Sequence, residues 1–176
     1  GYKISGSGGG EVFGISVAID GDYAIVGAPE KYFAAIGSQV GAAYIFRRTG
    51  TNTWDSGQQI VASNGAVSDR FGWSVAISGD YAIAGAPWHT SIAANAGSAY
   101  IFRRTGTGNS LNTWDAGILI VPVTNFFSGH KFGWSVAIDG DYAIAGMSEA
   151  NDGSKSDCGG AMIFHRTGAN NTPNTW

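Results

Sequence analysis

One segment occurs three times in this chain. It reads FGISVAIDGDYAIVGAP from Phe13, FGWSVAISGDYAIAGAP from Phe71 and FGWSVAIDGDYAIAGMS from Phe132, at spacings of 58 and 61 residues. Self-similarity at a fixed period marks a repeat architecture, and this period is too long for helical or leucine-rich solenoids but suits a four-stranded propeller blade. Two other markers keep the same beat: AYIFRRTG at Ala43 returns at Ala99 and, as AMIFHRTG, at Ala161, while NTW closes at Trp54, Trp114 and Trp176. Each unit thus holds four strand-length segments, the last an apolar run such as QQIVAS or ILIVPV. The expected fold is all-β, a β-propeller of four-stranded antiparallel blades with about three blades in this chain. A single domain covers 1–176, with repeats at approximately 1–54, 55–114 and 115–176.

Along FGWSVAIS the side chains alternate large and small. Period two places Phe71, Trp73, Val75 and Ile77 on one side of a strand and Gly72, Ser74, Ala76 and Ser78 on the other. A half-solvated sheet would carry long polar residues on the second side, so both sides are expected to be buried by stacking, bulky face on smooth face. The strand is followed by Asp20-Gly21-Asp22, Ser78-Gly79-Asp80 or Asp139-Gly140-Asp141, a strong hairpin signal between apolar runs, and these Asp residues read as turn formers.

The pair FG and GAP resembles the FG-GAP repeats of integrin α-subunit heads and of many bacterial and algal surface proteins, over essentially all 176 residues. The resemblance implies a β-propeller used extracellularly in adhesion and ligand recognition. Calcium-binding members of that family carry a loop of the form D-x-D-x-D-G-x-x-D between the FG and GAP strands. Here the interval holds only the short Asp-Gly-Asp or Ser-Gly-Asp turns, too few oxygens to wrap the ion. The run from Glu149 to Gly153 with Asp157 is the richest set of oxygen donors, yet its spacing departs from known calcium loops and the other two copies lack it; it reads as a solvated loop. No cofactor or metal is expected.

A formal charge of −3 and a pI near 5.4 offer no basic face for nucleic acid. No apolar run reaches the length of a membrane span, so membrane insertion is not expected. Cys158 is the single cysteine, which excludes an intrachain disulfide; it replaces Val40 and Ala96 and reads as a small buried hydrophobe. Asn170 lies in a sequon of the type glycosylated outside the cell.

Catalytic residues are not expected. His89, His130 and His165 occupy non-equivalent places in their repeats, and no nucleophile signature accompanies them. Function in such a fold resides on loops of variable length at one rim. The loops from Glu30, Trp88 and Glu149 differ where the strands agree, which makes Tyr32, Phe33, Trp88 and His89 the candidate contacts for an extracellular protein or glycan. A second candidate is a glycan platform of Trp54, Trp114, Arg48 and Arg104, repeated across the units; the competing reading has the Trp packed and covered by Arg stems.

Propellers normally close with four or more blades. Gly1-Tyr2-Lys3-Ile4 aligns with Gly57 to Ile60 and with Gly117 to Ile120, partway into the fourth segment of a unit. The expectation is a partial propeller or half of a closed ring, whose partners are neighbouring blades of a longer chain or other copies of itself, closing as six blades or polymerising head to tail. Taken together, the sequence reads as a non-catalytic extracellular module for adhesion, protein–protein interaction or surface assembly, with a lectin-like propeller as the alternative.

Overall fold

The computed structural model describes residues 1–6, 8–107, 111–122, 128–151, 155–167 and 175–176. It is all-β, without a helix among the described residues, in three antiparallel sheets consistent with propeller blades. The first sheet holds β1 (Val17–Asp20), β2 (Tyr23–Ala28), β3 (Ala42–Gly50), β4 (Thr53–Trp54) and β5 (Gln58–Ile60). The second holds β6 (Val75–Ser78), β7 (Tyr81–Ala86), β8 (Ser98–Arg103) and β9 (Ile118–Ile120); the third holds β10 (Phe132–Asp139), β11 (Tyr142–Met147) and β12 (Gly160–His165). Both β5 and β9 pair back onto β3 and β8, so each closes the sheet before it. In the first sheet that closing strand, β5, lies beyond residue 54, where the first repeat was expected to end. Residues 1–6 form no strand.

The tandem hairpins form where the dipeptides indicate, displaced by one residue. Asp20 pairs with Tyr23, so the two-residue turn is Gly21-Asp22, with Gly21 at φ 53° as a hairpin turn of the II′ kind demands. Gly79 and Gly140 repeat this at φ 54° and 53°.

The sheets stack face to face. Ile25, Ala43 and Ile45 of the first meet Phe71, Val75, Ile77, Tyr100 and Phe102 of the second. Ile83, Ala99 and Ile101 of the second meet Phe132, Ile138, Ala143 and Ala145 of the third. Each fully buried large apolar side chain contributes about 1.5–3 kcal/mol, whereas an exposed ion pair contributes about 0–1 kcal/mol. Stacking therefore dominates the stability of the array. The backbones close in where the GAP glycine of one sheet faces the FG glycine of the next: a Cβ on Gly27 would lie 2.0 Å from the Gly72 carbonyl oxygen.

Two expectations are corrected. Phe71 to Ser78 is not one continuous strand. Gly85 accepts a hydrogen bond from the Gly72 N–H and donates one to the Ser74 carbonyl, both at 2.9 Å, so Trp73 is looped out between them. Gly27 holds Gly14 and Ser16 in the same way, looping out Ile15, and the β10–β11 register slips between Phe132 and Val136. A bulge of this kind re-aims the side chain it carries. Phe71, Val75 and Ile77 enter the interface, while Trp73 leaves it for a cluster with Trp88 and Trp134.

Cys158 is the second correction, for it is exposed. Its counterparts Val40 and Ala96 are buried because the following sheet covers them, with Phe71 N–H donating to the Val40 carbonyl at 3.0 Å and Phe132 N–H to that of Ala96 at 2.8 Å. No following sheet lies over Cys158 among the described residues.

Candidate functional site

Strand direction puts the segments preceding β1, β6 and β10 and the loops following β2, β7 and β11 at one rim of the array. The hairpin turns and the RRTG segments lie at the other. The two rims differ in chemistry.

At the hairpin rim the Arg before the Thr-Gly of each RRTG or HRTG segment grips the turn Asp: Arg48 with Asp22, Arg104 with Asp80 and Arg166 with Asp141. The Arg48 and Arg104 backbone N–H groups also donate to the Asp22 and Asp80 carbonyls at 2.7 Å, and Arg166 N–H to that of Asp141 at 2.8 Å. These carboxylates are more than turn formers, and a guanidinium already occupies each. They do not fit a calcium ion, and no group of three or more His, Cys, Asp or Glu among the described residues could hold a metal. Asp152 and Gly153 of the Glu149 loop, and Asn170, lie outside the described residues.

Arg104 and Arg166 also reach back to the preceding sheet. The Arg104 guanidinium sits 5.0 Å from the Tyr23 ring, and Trp114 meets the same ring edge-on at 6.1 Å. Arg166 lies 4.9 Å from the Tyr81 ring, with Trp176 at 5.6 Å. Trp114 and Arg104 of the postulated glycan platform thus clasp a tyrosine between sheets, while Trp54 and Arg48 lie outside such a clasp. Asn112 reinforces the first one, donating to the Ile45 carbonyl at 2.7 Å and to Asp55 at 2.9 Å.

At the loop rim, Trp88 is half-buried and joins Trp73 at 4.7 Å and Trp134 at 5.5 Å, with the Arg70 guanidinium 4.6 Å and Lys131 Nζ 5.0 Å from its ring. Tyr32 is exposed; Phe33 is half-buried in its own tight turn, its N–H donating to the Gly37 carbonyl at 3.0 Å. Among the described residues no ring contact joins these two to the Trp cluster. Sequence reasoning missed Trp73 and Trp134 as rim residues because it assigned the residue after FG to the stacking face.

His89 is buried, which removes it from the rim contacts. Its Nδ1 lies 2.8 Å from Ser98 Oγ and its Nε2 3.8 Å from Asp69 Oδ2, a Ser-His-Asp grouping in space. Ser98 is wholly buried beneath the third sheet, so no substrate carbonyl can approach its oxygen. The position has a plain structural counterpart: Glu11 with Lys31 at 2.5 Å occupies it in the first sheet, and in the third His130, whose Nε2 accepts the Asn151 N–H at 3.4 Å. All three of Glu11, Asp69 and His130 are buried. The pairing ties the loop to the entry of the FG strand.

Burial raises the Asp69 carboxyl above its ordinary 3.8, opposed by the Ala66 N–H it accepts at 2.6 Å and by His89. Burial likewise pushes up the Tyr100 phenol, whose O–H donates to Asn64 Oδ1 at 2.7 Å. A carboxyl whose pKa is higher folded than unfolded binds more protons in the native state, so its contribution falls as pH rises from about 3.8 through the raised value. Melting curves of parent and Asp69→Asn across that range should diverge in the variant's favour with rising pH. A difference independent of pH would refute the assignment.

The FG-GAP repeat model matches residues 5–46, 54–102 and 127–164, three matches that follow one another along the chain. The chain belongs to the FG-GAP repeat family. None of the curated proteins compared with it matches. FG-GAP repeats are generally structural or binding units and are typical of extracellular domains. In this FG-GAP array no described helix is long and apolar enough to cross a membrane. The FG and GAP glycines that name the repeat are the residues at which its sheets approach backbone to backbone.

Proposed function

We propose that this chain is a non-catalytic, extracellular interaction module that meets a protein partner through its loop rim, in adhesion or in assembly of a surface structure. One observation carries the reading. Ile15, Tyr32, Ile36, Val67, Ile92 and Trp134 are all large, apolar and exposed, and all lie at the loop rim, whereas the hairpin rim presents Asp–Arg pairs. Exposed apolar side chains gathered at one end of a scaffold mark a contact surface, and aromatic anchors supply most of the energy in such surfaces. Association with nucleic acid or insertion into a membrane has no support in the charge or the strands, and no cofactor is required.

The test is binding of the labelled chain to a panel of collagen, fibronectin and laminin beside a glycan array. Saturable binding to a protein is expected, weakened about tenfold or more by Ile92→Asp with Tyr32→Ala, a loss of about 1.4 kcal/mol or more. Binding that ignores both substitutions, or no binding, overturns the reading. The lectin alternative draws on the Trp73, Trp88 and Trp134 cluster, of which Trp134 is 36% exposed. It requires a glycan signal that Trp134→Ala abolishes.

A further inference from the structure

We infer that Lys131, set against the indoles of Trp73, Trp88 and Trp134, anchors a side-chain carboxylate of the partner protein, with a neighbouring apolar side chain of that partner resting on the rings. The inference rests on the loop-rim reading for the class of partner and names the chemistry by which one point of that rim recognises it. A difference between the two junctions inside the chain carries it: the first supplies a carboxylate to its cation, and the second supplies an indole.

The repeat places a cation at one position twice. Arg70 precedes Phe71 and Lys131 precedes Phe132, both with left-handed backbone at φ 54° and 58°. In each case the carbonyl accepts the N–H of an indole residue three places on, from Trp73 at 3.2 Å and from Trp134 at 3.1 Å. The same local turn therefore brings one cation and one indole to the rim of the second sheet and again to the rim of the third. On the preceding sheet each cation faces the residue that follows the GAP proline, Glu30 after Pro29 and Trp88 after Pro87. Arg70 meets the first as an ion pair, its Nε 3.2 Å from Glu30 Oε1. Lys131 meets the second with its Nζ 5.0 Å from the ring centre. The ion pairs at this rim join Lys31 to Glu11 and Arg70 to Glu30; among the described residues none reaches Lys131, and Glu149 of its own loop is exposed.

Lys131 is half-buried, so its ammonium is partly withdrawn from water while the ring offers only the weak negative field of its face. A carboxylate arriving from solvent would supply the counter-charge that Glu30 supplies to Arg70, and a charge-assisted hydrogen bond gains strength where rings exclude water around it. Ring geometry favours a peptide over a sugar as the bearer of that carboxylate. Trp88 is inclined at 76° to Trp73 and 52° to Trp134, which stand at 49° to each other, so no two rings form a flat platform for a saccharide, and Trp88 already carries Arg70 as well as Lys131. Inclined rings suit a flexible aliphatic side chain such as Leu or Met. Cation, ring and the Glu30 counterpart all belong to junctions inside the chain, and none of these contacts depends on an end face.

The test follows the indole N–H signals of the chain by nuclear magnetic resonance as acetyl-Glu-Leu-amide is added. The signals of Trp73, Trp88 and Trp134 should shift saturably, while those of Trp54 and Trp114 at the hairpin rim stay in place. Acetyl-Gln-Leu-amide, the same probe without the charge, should need about tenfold more for an equal shift. Lys131→Gln should lose a similar factor with an unchanged melting curve, and Lys131→Arg, which installs the residue of the counterpart position, should recover most of it. The inference is overturned if the Gln probe matches the Glu probe, if Lys131→Gln binds the Glu probe like the parent, or if no indole signal moves up to the solubility limit. Glucuronate that moves the three signals at lower concentration than the Glu probe overturns it too, by making the occupant an acidic sugar. The comparison of the two probes uses the parent chain alone, so it decides the matter even where a variant is destabilised. Failure here is separable from failure of the rim reading: a panel protein still held by Lys131→Gln but released by Ile92→Asp with Tyr32→Ala leaves that reading standing and removes this one.

Discussion

Alanine at Gly85 is expected to abolish cooperative folding of the chain at ordinary temperatures. The added Cβ would lie 1.9 Å from the Gly133 carbonyl oxygen and 2.5 Å from Ser74 Oγ, inside any tolerable contact. Ser74 can rotate, but the Gly133 carbonyl belongs to the backbone of the next sheet, whose neighbour Phe132 is fully buried in the interface. Relief would require the second and third sheets to part, exposing Ile83, Ile101 and Phe132 at about 1.5–3 kcal/mol each. A loss of about 4 kcal/mol or more is a large part of the stability of a domain this size. Gly146→Ala is the internal control, since it occupies the same motif position and meets only a serine side chain. Thermal melts followed by circular dichroism should show Gly146→Ala within a few degrees of the parent in dilute solution and Gly85→Ala without a native transition. Equal melting of the two would remove the backbone contact as the basis of the stacking.

The strands and hairpins were legible because each is announced locally. An Asp-Gly or Ser-Gly pair between apolar runs specifies a turn wherever it stands, and three copies of the same announcement leave little room for a different topology. The bulge was not legible, for a definite reason. It inserts two residues, Gly72 and Trp73, and an insertion of two preserves the alternation of large and small along FGWSVAIS. The pattern passes through the irregularity in phase, and it is the hydrogen bonds of Gly72 and Ser74 to Gly85, with the φ of 85° at Gly72, that disclose it. Trp73 and Trp134 were in consequence assigned to the core face and not to the rim. The rest depended on partners distant in the chain. Asp22 was assigned to the turn, while the Arg that grips it is 26 residues away, and the Tyr23 that Arg104 covers is 81 residues away. Cys158 was read by analogy with Val40 and Ala96, whose burial comes from the sheet that follows each of them. Motif identity carries the internal geometry of a repeat, but burial belongs to its neighbours.

Phe71→Ala and Trp73→Ala separate the bulged strand from a regular one. In a regular strand the two side chains share a face and both substitutions should open the core. Here Phe71 is wholly buried, edge-on to Tyr100 at 5.5 Å and to Phe102 at 5.9 Å, so truncation leaves a cavity between two sheets that cannot collapse onto it. A loss of about 3–5 kcal/mol is expected. Trp73 is only half-buried and its contacts are Trp88 and Trp134, both of which can settle toward the space it leaves. Losing its aromatic contacts costs about 0.5–1.5 kcal/mol beyond the area uncovered, so the total should fall well short of that for Phe71. Urea denaturation of the two variants under identical conditions reads the difference directly from their midpoints, provided the slopes agree with the parent. Comparable losses would restore the regular strand and return Trp73 to the stacking face. A large loss at Phe71 beside a small one at Trp73 would place the indole at the rim, where with Trp88 and Trp134 it forms the aromatic surface from which a partner or a glycan would be engaged.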